Sequence, residues 1–148
     1  MSLQDLLDEN GITYFGAREF WSRSIDSREK SVEPPEELWT NIIPTALLMD
    51  EIRELLGSPV RISAYRSPEY NKHVGSKPTS EHPLFRAADL WWDGPIERLW
   101  EVAREVVERA DMEGLRTGLG LYDTFVHVDT GSEKGLHDRR RWDSRTKE

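Results

Sequence analysis

The stretch from Pro95 to Ala110 constrains the fold more than any other in the chain. Ile96, Leu99, Trp100, Ala103, Val106, Val107 and Ala110 recur at helical spacing and share one face. Pro95 suits the first turn, where its missing N–H costs nothing. A helix with a single apolar face has to bury it against another element. Short alternating segments at Val60–Tyr65, Ala87–Trp92, Leu119–Tyr122 and Phe125–Asp129 read as strands that can supply the surface. The last two are separated by Asp123-Thr124, which reads as a hairpin turn. A second helical stretch runs from Glu36 to Leu56, broken or kinked at Pro44 and closed by Gly57. Leu3–Leu7 reads as a short helix, and Ser22–Pro35 and Arg66–Ser80 as polar loops. Loops as long as the latter are often functional. The expected architecture is α+β: a small, mainly antiparallel sheet with helices packed on one side.

The length of 148 residues fits one domain. Residues 1–35 form an N-terminal extension and loop, 36–142 the core and 143–148 a tail. No apolar run approaches the roughly 20 residues of a membrane span. Met1–Asn10 is acidic and lacks the basic and apolar regions of a secretory signal. The expectation is therefore synthesis in the cytoplasm, with release by lysis or carriage in a virion. A net charge of −8 argues against a nucleic-acid partner, which leaves a basic footprint. The one basic cluster, Arg139-Arg140-Arg141, reads as a solvated tail, as does His137. The sequence carries no signal for the oligomeric state.

There is no cysteine, so a metal site must be built from histidine and carboxylate. Four histidines are available: His73, His82, His127 and His137. His73, in the long polar loop, reads as solvated. His82 is followed by Asp89 seven positions later, at the start of a strand. His127 and Asp129 alternate within another strand and so point to the same face. Two strands and a loop can bring two imidazoles and a carboxylate together. Catalytic zinc takes three such protein ligands and keeps a fourth position for water, whose pKa it lowers to roughly 7.

These segments, with their surroundings, resemble a known family. Arg61-Ile62-Ser63-Ala64-Tyr65-Arg66-Ser67-Pro68-Glu69-Tyr70-Asn71, Val74-Gly75, Ser80-Glu81-His82, Ala87-Ala88-Asp89-Leu90 and Phe125-Val126-His127-Val128-Asp129 are similar to the zinc D-Ala-D-Ala carboxypeptidases. That family shares its fold with the amino-terminal signalling domain of hedgehog proteins. The likeness covers most of the chain from about Leu47 onward, and Trp142 after Arg141 resembles a closing Arg-Trp of one subgroup. It implies a Zn2+ cofactor with His82, Asp89 and His127 as ligands. It implies Arg66 near the metal, forking onto a substrate carboxylate or stabilising an oxyanion. It implies Ser80 as a residue that binds substrate or braces the site. The implied substrates are peptidoglycan peptides, cut by carboxypeptidase or stem-peptide endopeptidase action, as in a phage-encoded lysin.

Two departures from the family pattern stand out. Phe85 occupies a place in the His82–Asp89 segment where glycine is usual. Thr124 stands three residues before the last ligand, where members carry a glutamate or aspartate base. Asp123 and Asp129 are the nearest carboxylates that can replace it as proton acceptor. The same departures support a second expectation, a non-catalytic, metal-stabilised binding or structural module of a phage particle.

Overall fold

A computed structural model describes residues 1–22, 32–73, 75, 80–130 and 139–146. His137 and most of the Ser22–Pro35 loop lie outside the described residues. The chain opens with helix α1, Leu3–Glu9, whose Ser2 and Asp5 cap each other's backbone N–H groups. A 3-10 turn at Ala17–Phe20 follows. The Glu36–Leu56 stretch divides as its proline predicts. Residues Glu36–Ile42 wind as a 3-10 helix, and the α-helix proper, α2, runs Ile43–Leu56 with Pro44 in its first turn. Gly57 ends α2 at φ 68°, a left-handed conformation in which glycine suffers no Cβ clash.

The strands are β1 (Arg61–Ser63), β2 (Ala87–Trp91), β3 (Thr117–Leu121), β4 (Val126–Thr130) and β5 (Arg139–Asp143), with helix α4 at Ile96–Met112 between β2 and β3. The sheet order is β1-β2-β4-β3-β5. Every neighbouring pair is antiparallel except β3 and β5, which run parallel. The α+β expectation holds. Val126 and Val128 of β4, Leu119 and Leu121 of β3 and Leu90 of β2 are buried in one core with Leu99, Val102, Ala103 and Val106 of α4. Leu48, Met49 and Ile52 of α2 join it, as do Leu3, Leu7 and Phe20 from the beginning of the chain. The period of two sends the intervening residues to the opposite face. No helix of the described residues is long and apolar enough to cross a membrane.

Two readings of the sequence need correction. The Arg66–Ser80 segment is not wholly loop, because Pro68–His73 forms a short helix, α3. Ser67 starts it: its hydroxyl accepts the Tyr70 N–H at 3.1 Å and its carbonyl the Asn71 N–H at 2.9 Å. A serine followed by proline and glutamate is a helix start, and here it sits inside an otherwise polar run. His73 therefore ends a helix, its ring 6.3 Å from that of Tyr70. The second correction concerns the arginine cluster, which is strand β5 and not a solvated tail. Arg141 pairs with the buried carboxylate of Asp111, and Arg140 with that of Asp129.

Candidate metal centre

The sheet register alone assembles the centre. Across antiparallel neighbours, directly opposite residues point to the same face. Asp89 of β2 lies opposite His127 of β4, and Gly120 of β3 lies on the other side of His127. All three are on the face away from the helices. His82 enters from the turn that precedes β2. Ser80 braces that turn, its hydroxyl accepting the His82 N–H at 3.2 Å. The Phe85 N–H donates to the His82 carbonyl at 3.1 Å, completing a tight return. Among the described residues, Phe85 alone departs from glycine at positive φ, 57°. Its ring is fully buried, edge-on to Phe20 and Tyr65, with centroids 6.1 and 5.9 Å away. The bulk that replaces the usual glycine therefore fills the core and leaves the centre uncrowded.

His82, Asp89 and His127 each offer a ligand atom, all within 4.8 Å of one another. Asp89 Oδ1 is 2.9 Å from His127 Nδ1 and 3.3 Å from His82 Nε2. Ligands about 2.0–2.2 Å from a tetrahedral zinc lie roughly 3.4 Å apart, so the set fits with little movement. The outer partners are as telling. His82 Nδ1 lies 2.6 Å from the Ala64 carbonyl, which can only accept, so Nδ1 carries the proton and Nε2 presents its lone pair to the cluster. His127 Nε2 donates to Asp129 Oδ2 at 2.8 Å, leaving Nδ1 to face Asp89. Metal-binding histidines are normally fixed through their second nitrogen in this way.

The electrostatics follow from burial and pairing. Burial pushes the His82 imidazole below its ordinary value, more than Asp89 can offset, so it stands neutral and ready to ligate. Burial alone would raise the Asp89 carboxyl, but the two imidazoles hold it well below the usual carboxylate range. Burial also opposes charge on His127, yet its hydrogen bonds to Asp129 and Asp89 and their charges win, pushing it up to about 9. In the metal-free protein, a proton on Nδ1 of His127 thus occupies the place of a cation.

The cluster borders a cleft of about 890 Å³. Arg66 lies on its wall and donates from Nη2 to Asp89 Oδ2 at 2.8 Å, so it grips the carboxylate oxygen that His82 and His127 do not touch. Ser80 and Asp129 also border the cleft. Asp123 is elsewhere: its carboxylate is exposed and accepts the Thr146 N–H at 2.9 Å and the Thr146 hydroxyl at 2.5 Å. Those hydrogen bonds lower its pKa. Thr124, beside it, is exposed in the hairpin turn.

Several further residues of the cleft have no role assigned by the sequence. Glu81 is buried on the wall, with Oε2 lacking a hydrogen-bond partner among the described residues and Arg86 at 3.9 Å. Tyr122 and Phe125, at the two ends of the hairpin turn, stack at 4.4 Å and 8°, and Trp142 donates to the Tyr122 hydroxyl at 3.0 Å. Arg140 and Trp142 come from β5. Their signal in the sequence was the spacing of two, which puts both on one face of a strand. The chain matches the peptidase M15 family over residues 13–129. No curated protein matches it. His82, Asp89, His127, Arg66 and Ser80 all fall within the matched span, and the chain belongs to the peptidase M15 family, the zinc D-Ala-D-Ala carboxypeptidase-like group that its sequence resembles.

Proposed function

We propose that this chain is a zinc-dependent peptidase that hydrolyses peptide bonds in bacterial peptidoglycan, as a D,D-carboxypeptidase or a stem-peptide endopeptidase. One observation carries the reading: His82 Nε2, Asp89 Oδ1 and His127 Nδ1 converge beside an open cleft while the outer nitrogens are tied to Ala64 and Asp129. His82, Asp89 and His127 would hold the ion, which supplies Lewis acidity to the scissile carbonyl and to water when bound. Arg66 holds Asp89 through Oδ2, and brings a positive charge to the wall where an oxyanion or a terminal carboxylate would lie. Tyr122, Phe125 and Trp142 give the same cleft an apolar wall against which a peptide can lie. With Asp123 held by Thr146, the carboxylates that border the cleft outside the ligand set are Asp129 and Glu81. The proton of the attacking water goes to one of these two and from there to the leaving amine.

The test is digestion of purified peptidoglycan by the zinc-loaded protein, with mass spectrometry of the released peptides. Products that disappear in His127→Ala identify a peptidase and name the bond. Loss of a single terminal residue marks a carboxypeptidase, and fragments cut within the stem mark an endopeptidase. The turn residues favour a second reading. Thr124 brings no carboxylate and Asp123 is engaged by Thr146, which suits a metal-stabilised binding module. Tight zinc binding with no released peptide would select that reading.

A further inference from the structure

Strand β5 lies beyond the residues matched to the family, yet it reaches the centre. It does so across β3. On the site-bearing face β3 presents only Gly118 and Gly120, which pair in register with Arg140 and Trp142 of β5 on one side and with Asp129 and His127 of β4 on the other. A side chain at either glycine would displace the group that crosses it. A Cβ on Gly118 would lie 2.6 Å from Asp129 Oδ2 and 2.7 Å from Arg140 Nη2, and one on Gly120 would lie 2.3 Å from the Trp142 ring. β5 and β4 stand two strand spacings apart, about 10 Å, and the bare face of β3 lets two long side chains cover that distance. Arg140 crosses Gly118 and donates from Nη2 to Asp129 Oδ1. Trp142 crosses Gly120 to pack on the His127 ring, centroids 5.3 Å apart, with its indole N–H on Tyr122.

We propose that Arg140 and Trp142 are positioning residues of the metal centre. Arg140 acts through Asp129 to fix which nitrogen of His127 faces the ion, and Trp142 fixes the plane of the ring. The argument runs along a chain of contacts. Asp129 is almost wholly buried, and an unpaired carboxylate there would be costly. With Arg140 on Oδ1, Oδ2 is left to accept the His127 Nε2–H, so Nδ1 is the nitrogen turned to Asp89. Trp142 and Asp129 between them limit the ring's rotation about its side-chain bonds. This inference rests on the metal reading above and extends it to a segment outside the family match.

The deciding measurement is the zinc dissociation constant by competition with a chromophoric chelator, on the parent protein and on Arg140→Gln, Arg140→Lys and Trp142→Leu. Partners one shell out from a metal typically change affinity by about 10- to 100-fold. Arg140→Gln and Trp142→Leu are expected to weaken zinc within that range. Arg140→Lys, which keeps the charge but loses the planar fork, should recover part of the loss. Proton–nitrogen spectra of the histidines supply a readout that a merely structural role would not move. The His127 Nε2–H resonance should persist in the parent and in Arg140→Lys and broaden in Arg140→Gln. Should Arg140→Gln fail to fold, Arg140→Lys and Trp142→Leu carry the test. Variants that fold, hold zinc as tightly as the parent and keep the Nε2–H signal would overturn the proposal. A parent that takes up no zinc would overturn the metal reading itself.

Discussion

At the scale of single residues, His127 sets the pH behaviour. Its pKa near 9 in the metal-free fold lies above the value of about 6.5 expected for the unfolded chain. The stability it contributes is therefore fully present below pH 6.5 and is lost as the pH rises through about 9. Zinc must displace that proton, because His82 and Asp89 are shifted toward their deprotonated forms. Zinc affinity is thus expected to rise about tenfold per pH unit from 6.5 toward 9 and then to level off, as titration calorimetry at several pH values would show. An affinity flat over this range would remove the proton from His127. Asp129 and Glu81 are separable in the same spirit. Asp129→Asn should weaken zinc binding, since it disturbs what His127 Nε2 donates to. The proton acceptor is the residue whose amide variant loses roughly 100- to 10,000-fold in kcat at full zinc loading. Phe85 makes a different bargain between backbone and core. Its left-handed backbone costs about 1–2 kcal/mol, but truncating a buried aromatic ring costs about 3–5 kcal/mol. Phe85→Gly should lower stability by roughly 2 kcal/mol in urea melts and leave the ligand geometry intact. A more stable variant would mean that strain dominates.

Individual elements show where the sequence was legible and where it was not. Helix α4 and strands β2, β3 and β4 are readable because their apolar periods are long or repeated, and the observed limits differ from the expected ones by only a few residues. Helix α3 was hidden because Ser67-Pro68-Glu69 is a start signal with little apolar periodicity behind it. Ser67→Ala should cost about 1 kcal/mol, the usual worth of a cap, with zinc affinity unchanged. A large loss of zinc would show that α3 also sets the position of Arg66. Strand β5 was hidden for a tertiary reason. Three arginines in a row look solvated until one sees that Asp129 and Asp111 are buried and need cations, and neither burial is visible in the local sequence. The candidate ligands were legible because histidine is scarce and the strand alternation sets faces. Asp123 lies one residue before the expected base position and could serve only if the turn re-aimed it, whereas the turn gives its carboxylate to Thr146.

For the molecule as a whole, the sheet divides the labour. One face is apolar and holds the helices, and the other carries the centre and its supports. The order of strands in the sheet is not their order in the chain: β5 pairs beside β3, with β4 made in between. That has a consequence for synthesis. A ribosome delivers β3 and β4 before β5, so for a time β3 is an open edge whose upper surface is bare at Gly118 and Gly120. Unpaired edges of this kind are where chains join one another wrongly. A chain halted before Arg139 would carry all three candidate ligands but neither the cation for Asp129 nor the cover for the edge. It is expected to associate through β3 on size-exclusion chromatography and to take up zinc poorly, and an exogenous peptide spanning residues 139–143 should compete for the vacant edge. Strand β5 is made after the strand it covers, so the groups that steady the centre arrive after its three candidate ligands.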